Sequence, residues 1–170
     1  MEHKNHIIIK NLLLVGFILY IALLLWVVVF KYVAPWELFS EGRYFSRTVN
    51  FIPFGGVLTQ TDIVGNLLLF IPMGIYLRAF LSGKKAYMSI VYAFFVSVIF
   101  EAVQYGFGIG AADVTDLIMN TAGAALGVGV CLVLERLFKG PQKVRALVAI
   151  IGMAVMAIGM VISVLLVIMN

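Results

Sequence analysis

The sequence has few charged residues and almost none of the residues that build zinc or redox centres. Charged residues make up 12% of the 170 residues, against about 25% in an ordinary soluble domain, while 64% are hydrophobic. A soluble monomer of this size could not bury so much apolar surface, which excludes a soluble enzyme and a disordered chain. The single cysteine, Cys131, excludes an intrachain disulfide and a CxxC motif. The only histidines, His3 and His6, lie near the N-terminus.

Long apolar runs predict an all-α membrane protein with about five transmembrane helices. The predicted spans are 12–30, 63–81, 86–104, 113–138 and 144–169, with Pro72 interrupting the second. Nine of the twelve basic residues lie on one side of these spans, so the positive-inside rule predicts an inner N-terminus and an outer C-terminus. Residues 1–138 are predicted to form a four-helix core. Residues 139–170 add a basic inner loop and an accessory fifth helix, packed through Gly152 and Gly159.

The only long connection, residues 32–61, mixes aromatic residues with charges and two prolines. This composition is typical of an amphipathic or re-entrant segment at the membrane surface, with its aromatic rings half buried. We expect residues 50–54 to dock against the mouths of the second to fourth spans, because the aromatics need burial and Asn50 needs a partner. Pro53 should bend the chain there.

Polar side chains that a bilayer should exclude occur in three groups. They are Asp62 and Asn66 in the second span, Ser97, Glu101 and Gln104 in the third, and Asp113, Asp116 and Asn120 in the fourth, followed by Gly123 and Gly127. Helical spacing places each group on one face, and a rise of about 1.5 Å per residue places all three in the outer half of the membrane. A charge in lipid costs about 2.5–3.5 kcal/mol or more, so we expect these groups to share an outward-facing pocket. The nearest counter-charges would be Arg43 and Arg47.

Several functions fit such a pocket. The same amides and small residues also serve as packing contacts between membrane helices. As a binding site, the oxygen ligands of Asp62, Glu101 and Asp116 would suit Mg²⁺ or Ca²⁺, although no cofactor is otherwise predicted and nothing indicates nucleic acid. As an enzyme, the protein would use these three carboxylates as general acid, base or nucleophile. A weak D-x-x-x-N repeat, at 62–66 and 116–120, leaves a small transporter as a third reading.

Four short motifs, taken in order, resemble the VanZ-like family of bacterial integral membrane proteins. They are NFIPF (50–54), DIVGNLLLFIPMG (62–74), EAVQ (101–104) and DVTDLIMNTAGAALG (113–127). The family positions are Asn50, Pro53, Phe54, Asp62, Asn66, Pro72, Gly74, Glu101, Gln104, Asp113, Asp116, Asn120, Gly123 and Gly127. The resemblance implies a small multi-pass protein of the bacterial plasma membrane, linked to low-level resistance to the glycopeptide teicoplanin.

The resemblance implies a context and not a reaction. Membrane lipids and a cell-wall precursor or teichoic-type polymer are the partners that this context indicates. Many family members have an arginine three residues before the first acid of the D-x-x-D segment, where this chain has Gly110. Either Arg43 or Arg47 would replace that arginine, or phosphate binding would be weakened.

Overall fold

The computed structural model describes residues 2–29, 47–55, 60–108 and 111–169. It contains five long helices: α1 (Glu2–Leu24), continued by a π-helical segment (Leu25–Val29), α2 (Gln60–Phe80), α3 (Ala86–Phe107), α4 (Val114–Leu137) and α5 (Pro141–Met169). The described residues also form two short strands, β1 (Thr48–Asn50) and β2 (Ala111–Asp113). Each of the five helices is long and apolar enough to cross a membrane, which confirms the predicted fold class.

Two of the predicted spans differ from the observed helices. The first helix begins at Glu2, so Lys10 and Asn11 lie inside it and do not mark its start. Long basic side chains can reach the membrane surface from within a helix, which lets the helix extend past them. The second difference is at Pro72, where α2 continues without a break. A proline is tolerated inside a transmembrane helix when neighbouring helices satisfy the freed backbone groups.

The helices α2 and α4 pack closely through three glycines. A Cβ atom at Gly74 would overlap the carbonyl oxygen of Ala124, and one at Gly123 or Gly127 would overlap the carbonyl oxygens of Leu67 or Ile71. Gly123 meets Leu67, and Gly127 meets Ile71, which is four residues further along each helix. The helices α2 and α4 therefore run parallel, as expected if the D-x-x-x-N repeat marks the same end of both. Small residues at such an interface let two membrane helices approach at backbone distance.

A buried ion pair joins the same two helices at their C-terminal ends. The Arg78 Nε and Nη2 atoms donate to the two carboxylate oxygens of Glu135 at 2.9 and 2.7 Å. The Arg78 Nη1 atom donates to the carbonyl oxygens of Leu81 and Lys84 at 3.4 and 2.9 Å, which ties in the turn between α2 and α3. Arg78 was expected to contact lipid headgroups, but this ion pair holds it inside the bundle, where it is 7% exposed. We call this end, with its many lysines and arginines, the basic end.

The helices α1 and α5 attach to the core around Tyr76 of α2. The Tyr76 ring stacks on Tyr20 of α1, with the ring centroids 5.6 Å apart. A Cβ atom at Gly152 of α5 would overlap the Tyr76 hydroxyl, which confirms the predicted contact through Gly152. The predicted packing through Gly159 stays a prediction, because the residue takes part in an interaction although a Cβ atom there would meet nothing within 4 Å.

The described part of the long connection forms a short strand followed by a turn. Strand β1 pairs in parallel with β2, with Thr48 opposite Ala111 and Asn50 opposite Asp113. A turn follows, in which the backbone N–H of Gly55 donates to the carbonyl oxygen of Ile52 at 3.1 Å. The bend at Pro53 is therefore confirmed, whereas the expected burial of the aromatics against the bundle is wrong for Phe51 and Phe54, which are both largely exposed. Residues 30–46 and 56–59 lie outside the described residues.

Candidate functional site

An open cleft of about 130 Å³ lies beside the β1–β2 pair. Its walls come from β1 and the turn after it, from α3, and from β2 and the start of α4. The lining residues are Val49, Asn50, Phe51, Val98, Glu101, Ala112, Asp113, Val114 and Leu117. Six of these nine side chains are hydrocarbon. The three polar ones are Glu101 of the predicted group on α3, Asp113 of the predicted group on α4, and Asn50 of the long connection. We call this end of the bundle the carboxylate end.

Glu101 and Asp113 form the base of the cleft. The Glu101 Oε2 atom accepts a hydrogen bond from the backbone N–H of Asp113 at 3.0 Å, which fixes the end of β2 against α3. Asp113 in turn caps α4, because its Oδ1 atom accepts the backbone N–H of Thr115 at 2.7 Å. Both carboxylates are nearly buried, with Glu101 9% and Asp113 6% exposed. An acid at this position satisfies one of the backbone N–H groups that every helix start leaves without a partner.

Asn50 connects the strand pair to these acids. Its Nδ2 atom donates to the Asp113 Oδ2 atom at 3.0 Å, and its Oδ1 atom accepts the backbone N–H of Ile52 at 3.1 Å. The backbone N–H of Phe54 donates to the Thr115 hydroxyl at 3.0 Å. The predicted docking of residues 50–54 is therefore confirmed on the side of α4, and backbone and amide hydrogen bonds carry it. Sequence reasoning missed Thr115, whose position directly after an acidic cap was the available signal.

The other two amides with described contacts hold helices together. The Asn120 Nδ2 atom donates to the Ser97 hydroxyl at 2.9 Å in the fully buried interface between α3 and α4. The Gln104 Nε2 atom donates to the carbonyl oxygen of Val28, in the π-helical segment, at 2.7 Å. Neither Gln104 nor Asn120 lines the cleft. Their observed contacts match the alternative in which such amides serve as packing contacts between helices.

The other predicted site residues with described side chains, Asp116, Asn66 and Arg47, do not line the cleft. Asp116 is half-buried in the first turn of α4, and Asn66 is half-buried on α2. The Arg47 Nη2 atom donates to the carbonyl oxygen of Gly106, near the end of α3, at 3.3 Å. Asp62 belongs to α2, but its side chain is outside the described atoms, as are Arg43 and Gly110.

The predicted cation site stays a prediction. Among the described residues, no group of three or more His, Cys, Asp and Glu side chains could hold a metal ion. The predicted set includes Asp62, whose side chain is not described.

Both acids of the cleft have described hydrogen bonds to backbone N–H groups. The acids at the base of the cleft accept hydrogen bonds from the backbone, which positions the strand pair and the start of α4. In the described part of the cleft, the groups that line it include no hydroxyl, thiol or imidazole to act as a nucleophile or base. The intramembrane hydrolase or transferase therefore stays a prediction, with Glu101 as its remaining cleft-lining candidate.

The fold and the site define a small helical membrane protein with a cleft built on two acids and an amide at one end. The model of the VanZ/LLP1 family matches residues 17–135, well over half of the chain. The chain therefore belongs to the VanZ/LLP1 family. It is 31% identical over 93 residues to the protein VanZ of Enterococcus faecium. That match covers 55% of this chain and 58% of the relative. No solved structure matches the chain.

Proposed function

We propose that this protein binds a component of the bacterial cell envelope in the cleft at its carboxylate end, and that this binding contributes to resistance to teicoplanin. The observation that carries the proposal is the meeting of Glu101, Asp113 and Asn50 at the base of one cleft, although they lie far apart in the sequence. The similarity to VanZ supports the envelope context. The predicted topology would place the cleft on the outer side, where cell-wall precursors and teichoic-type polymers are found.

The chemistry of the cleft favours a ligand that donates hydrogen bonds and has an apolar part. Carboxylates accept hydrogen bonds only, so an amine or a sugar hydroxyl would be recognised, while a bare phosphate would face two acids. Six apolar side chains surround these acids and would contact the rest of the ligand. A lipid-linked or polymer-linked precursor combines both features. Binding that removes or remodels such a compound would change the set of cell-surface compounds that a glycopeptide can bind.

The substitution Glu101→Gln tests this function. Glutamine keeps an oxygen that can accept the backbone N–H of Asp113, so the strand pair should stay docked. It removes the negative charge, so a site that binds an amine or uses acid–base chemistry should lose its function. We expect the variant to insert and fold like the unchanged protein and to give no resistance when it is expressed in a teicoplanin-sensitive host. Asp116→Asn tests the other described acid of the predicted set, which is in the first turn of α4 and does not line the cleft.

The controls separate loss of function from loss of protein. Both variants should match the unchanged protein in membrane yield and in elution from a sizing column in detergent. The unchanged protein should raise the teicoplanin concentration that inhibits growth. Two folded variants that protect the host fully would overturn the charged-site reading and leave a scaffold that acts through protein contacts.

A further inference from the structure

One face of α3 leads from the acidic base of the cleft into the middle of the membrane. Val91, Phe94, Val98 and Glu101 follow one another at intervals of three, four and three residues, which places them on a single helical face. The three apolar side chains are about equally exposed, at 40, 38 and 38%. Their neighbours Phe95 and Ile99 are 56 and 58% exposed. Val98 lines the cleft and Ile99 does not, so the face of Val98 leads out of the cleft along α3, while the face of Ile99 lies outside it.

The depth of Val98 determines what can fill the cleft. The 22 residues of α3 span about 33 Å, close to the 30 Å or so of a hydrocarbon core. Val98 lies nine residues before the end of α3, or about 14 Å along its axis. This position is within the hydrocarbon region for a helix that crosses the bilayer. The floor and walls of the cleft are therefore next to acyl chains, and not next to water.

The opposite wall of the cleft is also apolar. Phe51, in the turn after β1, is 79% exposed although β1 is held by hydrogen bonds to the rest of the molecule. Val49 and Leu117 supply more hydrocarbon to the same cleft. A ligand that carried only a polar head would leave these side chains uncovered, whereas a hydrocarbon chain would pack against them through van der Waals contacts.

We propose that an acyl chain of a membrane lipid or lipid-linked compound occupies the cleft and runs along α3 from Val98 towards Val91. The polar head then lies near Glu101, and the ligand enters sideways from the bilayer. This inference rests on the proposed binding function and names the class of its ligand: a compound that bears an acyl chain.

Photolabelling from within the bilayer tests the inference. The full chain is placed in nanodiscs of phosphatidylglycerol and phosphatidylethanolamine that contain a phosphatidylcholine with a diazirine in the middle of one acyl chain. After illumination, labelled peptides are identified by mass spectrometry. We expect the peptides that contain Val98 and Leu117 to be labelled above the general level of the lipid-facing helices.

Neighbouring residues supply matched controls. Val98→Trp places an indole in the cleft, while Ile99→Trp makes the same change one residue along, outside it. Leu117→Trp and Ile118→Trp form a second pair on α4, which keeps the test valid if one variant fails to fold. Label at the cleft should fall about tenfold in the first member of each pair and stay unchanged in the second.

Two outcomes would overturn the inference. One is uniform labelling of all exposed helix faces, and the other is equal labelling of the two members of each pair. If Glu101→Gln abolishes resistance while the cleft stays unlabelled, the proposed function stands and only the acyl-chain ligand is refuted. If the cleft is labelled while Glu101→Gln is fully active, the acidic site is refuted instead.

Discussion

Alanine at Gly123 or Gly127 should force α2 and α4 apart. The added Cβ atom would overlap a backbone carbonyl oxygen, of Leu67 in the first case and of Ile71 in the second. A flexible side chain could turn aside, but a helix backbone can only move as a whole. Overpacking of a tight interface typically costs about 1–3 kcal/mol, and we expect a loss of about 2–3 kcal/mol for each variant, because the obstacle is backbone.

The control for these variants is Gly129, which lies on the same helix. A Cβ atom at Gly129 would meet nothing within 4 Å, so Gly129→Ala should leave the packing unchanged. In soluble helices the same change is worth up to about 1 kcal/mol of added helix propensity. Unfolding by dodecyl sulfate in mixed micelles, followed by circular dichroism, gives the order of stabilities. Gly123→Ala and Gly127→Ala proteins as stable as Gly129→Ala would refute the close α2–α4 contact.

The remaining predictions concern the basic end, the attachment of α5 and the topology. Arg78→Ala should cost about 3–5 kcal/mol in the same unfolding assay, because it leaves the Glu135 carboxylate buried without its partner. The double variant Arg78→Met, Glu135→Leu removes both charges, so its stability should be much closer to that of the unchanged protein. Valine at Gly152 should clash with the Tyr76 ring and loosen α5, detected as a lower thermal midpoint, whereas valine at Gly129, where a Cβ atom meets nothing within 4 Å, should not. A reporter fused after Asn170 should be reached by a membrane-impermeant reagent from outside, and a protected reporter would contradict the predicted five-span orientation.

The helices were predictable because a bilayer leaves little choice of structure. An apolar run of about 20 residues satisfies its backbone internally only as a helix, so composition alone defines the five spans. The ends were less predictable. Lys10 suggested a start for the first helix that the structure does not have, since a side chain can reach the membrane surface from inside a helix.

The candidate site was predictable in part. Glu101, Asp113 and Asn50 were selected because each is a polar group that lipid would exclude, and the structure brings these three together. The same reasoning selected Gln104 and Asn120, whose hydrogen bonds instead join helices. Residue type could not separate these cases, because an amide satisfies a carbonyl or a hydroxyl on a neighbouring helix as well as it satisfies a ligand.

Contacts between distant parts of the sequence account for most of what was missed. The pairing of β1 with β2 joins residues 63 positions apart, and two strands of three residues leave no periodic pattern to detect. Arg78 and Glu135 are 57 positions apart, and each occurs where a charged residue at a helix end is ordinary. The positive-inside rule describes the charge of a loop and not the partner of each residue, so this ion pair could only be seen in the structure.

The two ends of the α2–α4 pair are held in different ways, and this difference bears on function. At the basic end and along the interface, a buried ion pair and backbone-distance glycine contacts leave little freedom. At the carboxylate end, β1 is held by a three-residue ladder and by the hydrogen bonds of Asn50 and of the Phe54 backbone, and the side chains of its turn are largely exposed. Local opening is easiest where buried apolar contacts are few. The wall of the cleft that includes Phe51 can therefore move more easily than the α2–α4 interface to admit a ligand, while Glu101 stays fixed on α3 and Asp113 stays fixed as the cap of α4.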